Sequence, residues 1–185
     1  LGRAACEGLL AGGVLPVLKH IPGHGRAEVD SHRDCPRVEA SRDVLAESDF
    51  APFRALAAMP WAMTAHVVFA AIDPEAPATL SPHVIDEAIR GEIGFDGVLV
   101  SDDLSMGALG GRLSERAVRA IGAGCDLALH CNGDMAEMVG IAAEVPAMAA
   151  AGTARLARGE GLRRASIEAF DREAAEARFD SLLAR

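Results

Sequence analysis

Four short apolar runs recur along the chain: VLPVL (14–18), WAMTAHVVF (61–69), DGVLVSDDL (96–104) and CDLALHC (125–131). None alternates cleanly between apolar and polar residues, the pattern of parallel strands covered on both faces. Pro16 weakens the first run as a strand, because proline cannot donate to a ladder. Helical stretches separate the runs. LGRAACEGLLAGG opens the chain and stops at Gly12-Gly13, where paired glycines end a helix well. Ser48 precedes DFAPFRALAAM, Ser81-Pro82 opens HVIDEAIRGEI, and Ser114-Glu115 opens RAVRAIGAG. In each, serine can cap the first turn, and Pro82 sits where its missing N–H costs nothing. The tail adds helical patterns at DMAEMVGIAAEV and at SIEAFDREAAEARFDSLLA, the second amphipathic and highly charged. The order is β-α repeated about four times, a parallel α/β architecture.

Four such units fit either a small doubly wound sheet or half of an eight-stranded barrel. Polar residues follow every run: Lys19 and His20, then Thr64 and His66, then Ser101, Asp102 and Asp103, then His130 and Asn132. Both architectures bind ligands at strand carboxyl ends, but a barrel makes every strand contribute to one ring. No glycine-rich phosphate loop follows any strand, which counts against a nucleotide fold. The expectation is therefore the C-terminal half of a (β/α)8 TIM barrel, about four βα units plus C-terminal helices. Residues 1–185 would form one partial catalytic domain. The chain begins at Leu1 directly in a helical pattern, so the N-terminal half of the barrel is expected to be absent.

Composition narrows the partners. Half of the residues are hydrophobic and the formal charge is −9, with arginines scattered instead of forming a stripe. Nucleic acid is an unsuitable partner, and no apolar run is long enough to span a bilayer. The four cysteines have neither paired nor metal-ligand spacing and read as reduced thiols of a cytoplasmic protein.

The chemistry concentrates in KHIPGHG (19–25), DSH (30–32) and SDDL (101–104). His20 and His24 have the spacing of a helical zinc site, but Pro22, Gly23 and Gly25 rule out a helix there. Three readings of the loop stay open: a zinc site using His20, His24, Asp30 and His32, a glycine-rich turn with exposed histidines, or a substrate loop. In the last, Lys19 and His20 donate to ligand hydroxyls. In DSH, Asp30 can fix the tautomer of His32 and stabilise its protonated ring, giving a proton donor and acceptor near neutral pH. SDDL is either a helix cap or the acid that attacks an oxocarbenium-like centre while another group protonates the leaving oxygen.

These stretches, with MTAH, PATLS, GFDGVLVSDDLSM and AGCDLALHCN, resemble the bacterial β-N-acetylglucosaminidases (β-hexosaminidases) of glycoside hydrolase family 3, from about residue 12 to about residue 133. The resemblance implies a single (β/α)8 barrel that releases terminal β-linked N-acetylglucosamine from peptidoglycan-derived muropeptides in cell-wall recycling. It makes Asp102 the nucleophile, His32 the acid/base, Asp30 its partner, and Lys19 and His20 ligands of the sugar hydroxyls. Asp103 and His66 take supporting roles, and neither metal nor cofactor is expected. The family's earlier half supplies further sugar-binding residues, so this segment would need that half or self-association to work. A glycoside phosphorylase with the same site, and a non-catalytic sugar-binding remnant, are the alternatives.

Overall fold

The computed structural model describes residues 1–29 and 34–184. Among them six strands form: β1 (Val17–Ile21), β2 (Arg37–Val38), β3 (Trp61–Thr64), β4 (Val68–Phe69), β5 (Val98–Asp103) and β6 (Leu127–Leu129). Four make the main sheet, in the order β1-β3-β5-β6, with every pair parallel. Spatial order thus follows chain order without a reversal. A doubly wound sheet turns back at its switch point, whereas a barrel winds one way. The fold is the TIM-barrel type, represented by four consecutive strands.

The first strand starts at Val17, one residue after Pro16, so the proline stays outside the ladder it would interrupt. WAMTAHVVF divides. Ala65 still donates to Ile21 O in the main sheet, but Val68 donates to Pro36 O and Ala70 to Val38 O, joining β4 to β2 in a separate two-stranded sheet. Polar and apolar positions of β5 are buried alike from Val98 to Asp102.

The helices are α1 (Gly2–Ala11), α2 (Arg42–Val44), α3 (Ala51–Arg54), α4 (Leu113–Ala123), α5 (Met135–Glu144), α6 (Ala150–Ala165) and α7 (Arg172–Leu183), with π-helical segments at Leu45–Asp49 and Val84–Glu92. As expected, α1 stops at the glycine pair, with Gly13 at φ +76°. Ser81 caps the Val84 segment, its hydroxyl accepting from Val84 N at 3.1 Å. Two other caps differ from expectation. Ser48 lies inside the Leu45–Asp49 segment and donates to Val44 O, while the opening cap is Ser41, seven residues earlier. Ser114 lies inside α4, and the Glu115 carboxylate accepts from Arg112 N instead. The last helix starts at the Asp171 cap and has no buried residue, so its amphipathic pattern has no counterpart in the packing.

The sequence pattern gave no hint of α6. Three glycines in AAGTARLARGEGLRRA depress helix propensity by about 1 kcal/mol each. Two of them are explained by packing. A Cβ on Gly159 would touch Pro60 and Trp61, and one on Gly152 would come within 2.9 Å of Asp126 Oδ1. The helix lies close to the strand starts because those side chains are missing. Asp126 anchors this end: Oδ2 accepts from Leu99 N at 2.9 Å and Arg90 Nη2 at 3.1 Å, and Oδ1 accepts from Arg155 of α6 at 2.9 Å.

Between sheet and helices lies the core, with Phe50, Phe69, Phe95, Ile89 and Leu99 almost fully buried. Side chains of this kind contribute about 1.5–3 kcal/mol each. That layer holds the strands in place and presents their carboxyl ends together.

Candidate active site

At those carboxyl ends two residues far apart in sequence converge. His20, in β1, brings Nε2 to 3.6 Å from Oδ2 of Asp102, in β5. Asp102 is nearly buried, and its other oxygen accepts from Asp103 N at 2.9 Å. Burial pushes the His20 pKa below the usual imidazole value, with Lys19, His24 and His66 adding to the effect and Asp102 opposing it. His20 is therefore a neutral ring near pH 7, able both to donate and to accept at a ligand hydroxyl. Lys19 is exposed and lines an open groove of about 630 Å³ with His20, His24, Arg26 and Phe53. The KHIPGHG segment runs out of β1 and is not coiled as a helix. Its Lys19–His20 and Ile21–Pro22 peptide bonds are cis. Asp30 and His32 lie outside the described residues.

The two adjacent aspartates differ in their surroundings. Asp103 accepts from Ser105 N at 3.0 Å, the Ser105 hydroxyl at 2.6 Å and Cys131 N at 3.2 Å. Burial raises its pKa, but these hydrogen bonds outweigh it and hold the carboxyl below the usual range. The side chain clamps the loops after β5 and β6 together. Only Asp102 directs an oxygen towards His20, so of the pair it is the one placed to meet a ligand. The helix-cap reading of SDDL fails, because the next helix begins only at Leu113; Asp103 accepts from the turn at Ser105 instead.

Behind Asp102 sits a buried polar cluster. The Thr64 hydroxyl accepts from Asp102 N at 3.2 Å and lies 2.8 Å from Thr79 Oγ1. Thr79 Oγ1 lies 2.7 Å from His66 Nδ1, and His66 Nε2 lies 2.9 Å from Asp103 O. Thr64, His66 and Thr79 are all fully buried. Sequence reasoning noted Thr64 and His66 but not Thr79, whose only signal was its place in PATLS. His130 departs from the expected ring. It packs towards α5, with Nε2 3.1 Å from Glu137 Oε2 but out of hydrogen-bonding alignment. Among the described residues, no group of three or more His, Cys, Asp or Glu could hold a metal ion.

The model of the glycosyl hydrolase family 3 N-terminal domain matches residues 1–158. The chain belongs to glycosyl hydrolase family 3. A beta-hexosaminidase from Alkalilimnicola ehrlichii is 46% identical over 136 residues, covering 71% of this chain and 39% of the relative. One from Pseudomonas aeruginosa is 43% identical over 135 residues, with 71% and 40% covered. Among solved structures, the family 3 beta-N-acetylglucosaminidase from Paenibacillus sp. str. FPU-7 superposes with a TM-score of 0.75 at 37% identity, covering 90% of this chain and 34% of that one. NagZ from Neisseria gonorrhoeae in complex with N-trifluoroacetyl-D-glucosamine gives 0.72 at 35% identity, covering 95% and 49%. The chain thus spans about two-fifths of the length of these curated relatives. In this family 3 chain, the matched region contains β1, β3, β5 and β6 together with the His20–Asp102 pair.

Proposed function

We propose that the whole protein is a retaining β-N-acetylglucosaminidase acting on terminal β-linked N-acetylglucosamine of peptidoglycan-derived fragments. The observation that carries this reading is the approach of His20 to Asp102, which joins a hydroxyl-binding ring and an acid at one barrel mouth. Asp102 attacks the anomeric carbon and forms a glycosyl ester. The glycosidic C–O bond breaks, and the leaving oxygen takes the proton of His32. Water then attacks the same carbon and gives a proton to His32, now the base, while the ester bond breaks and frees Asp102. Asp30 stabilises the imidazolium, and Lys19 and His20 hold the sugar hydroxyls. The support for the substrate is the pair of glucosaminidase structures that the chain resembles. A cytoplasmic location fits the four free thiols, and no helix is long and apolar enough to cross a membrane among the described residues.

The test is hydrolysis of a chromogenic N-acetylglucosaminide by the whole protein. Asp102→Asn should lower turnover by more than about a thousandfold while sugar affinity stays near wild type. Turnover by Asp102→Asn within about tenfold of wild type would overturn the assignment. In phosphate buffer the product should remain free N-acetylglucosamine, and accumulation of the sugar 1-phosphate would make the protein a phosphorylase. Activity should also survive a chelator.

A further inference from the structure

The cluster behind Asp102 has one consistent direction of hydrogen bonding, and burial selects it. His66 Nε2 faces the carbonyl of Asp103, which can only accept, so Nε2 carries a proton. Thr79 Oγ1 lies 3.1 Å from Ala65 O as well as 2.7 Å from His66 Nδ1, and it has one proton to give. If that proton went to Ala65, His66 Nδ1 would need its own, making a fully buried imidazolium. A buried charge there is costlier than a neutral ring: burial, with Arg116 adding to it, pushes the His66 pKa down although the Asp103 carbonyl and the Asp102 and Asp103 carboxylates oppose it. Thr79 therefore donates to Nδ1, and Thr64 donates to Thr79. Thr64 Oγ1 in turn accepts from Asp102 N. The line leaves the N–H of Asp102 and returns to the carbonyl of Asp103, enclosing the peptide bond between the two.

We propose that Thr64, Thr79 and His66 form a positioning unit that locks the Asp102–Asp103 backbone and so aims Oδ2 of Asp102 into the sugar site. The link to the carboxylate is direct. Asp103 N, inside the locked segment, donates to Asp102 Oδ1. With Oδ1 fixed, Oδ2 is the oxygen left facing His20 at 3.6 Å. None of the three positioning residues touches the sugar in this account; they act through the peptide. The inference rests on the role of Asp102 proposed above.

Two measurements test it. The first uses the whole protein and counts kcat per folded molecule. Thr64→Val and Thr79→Val keep side-chain volume but break the line, and each should lower kcat about tenfold to a hundredfold, the penalty for displacing a reacting group by an ångström or less. KM should stay within about threefold, and Thr64→Ser and Thr79→Ser should recover turnover to within about threefold of wild type. Valine variants that melt earlier but turn over normally, or a loss confined to KM, would overturn the proposal. If Asp102→Asn is inactive while the valine variants are normal, only the positioning unit falls. If Asp102→Asn is active, the reading of the site falls first. The second measurement needs neither mutation nor activity: the ring nitrogen shifts of His66 in the folded chain should report a neutral Nε2–H tautomer near neutral pH. An Nδ1–H tautomer or an imidazolium would break the line and the proposal with it.

Discussion

Asp102 and Asp103 have the same functional group and adjacent backbone, yet their surroundings divide the work. Asp103 commits both oxygens to Ser105 and Cys131, while Asp102 leaves one directed at His20. Asp103 is thus a fastener between two loops, and its removal should be felt as stability. Asp103→Asn should cost on the order of 2 kcal/mol at pH 7. Its folded pKa lies below the ordinary 3.8, so the stabilisation is complete above that value and fades as pH falls through the lower folded value. Melting curves from pH 7 to pH 3 should therefore show wild type and Asp103→Asn drawing together only at the acid end. A constant gap would mean that the charge of Asp103 contributes nothing. Cysteines give a second check at this scale. Cys125 is fully buried with its thiol pushed up to about 12, whereas Cys131 is exposed. Brief alkylation of the native protein should label Cys131 and spare Cys125, read by peptide mass.

At the level of elements, glycine carries two unrelated meanings. A Cβ on Gly97, just before β5, would fall 2.5 Å from Pro60 O and 2.8 Å from Met59 O, both backbone atoms with little room to yield. Gly97→Ala should cost about 1–3 kcal/mol or more through overpacking. Gly161, exposed in α6, has nothing within 4 Å of such a carbon, and Gly161→Ala should add about 0.4–1 kcal/mol. Opposite shifts in melting temperature would confirm the distinction. Other glycines mark where sequence reading stops. The four strands were legible as short apolar runs, although only β5 is buried along nearly its whole length, and Ser81 was legible as a cap because it stands directly before a helical pattern. The sixth helix was not legible: two of its three glycines, Gly159 and Gly152, answer to Pro60, Trp61 and Asp126, distant in sequence. Thr79 was illegible for a related reason, since its partners Thr64 and His66 are brought to it only by the turn after β4.

For the whole molecule, the main sheet leaves β1 and β6 with one neighbour each among the described residues. Beside β6 runs a groove of about 650 Å³ lined by Leu127, Leu129, Met138, Ile141 and Val145. Unpaired edges and open apolar surface favour association. These 185 residues on their own should elute as species larger than a monomer in size-exclusion chromatography with light scattering, and should leave the chromogenic substrate at background. A monodisperse monomer with turnover would remove the need for any covering partner.

The anchor at Asp126 gathers the amino ends of two strands, Arg90 and the sixth helix around a single carboxylate. Lys19, His20 and Asp102, the described groups assigned to the sugar, lie at the opposite rim. A protein divided in this way can exchange the residues that greet a new glycan while its foundation stays as it was, which makes the mouth the natural place to redesign selectivity.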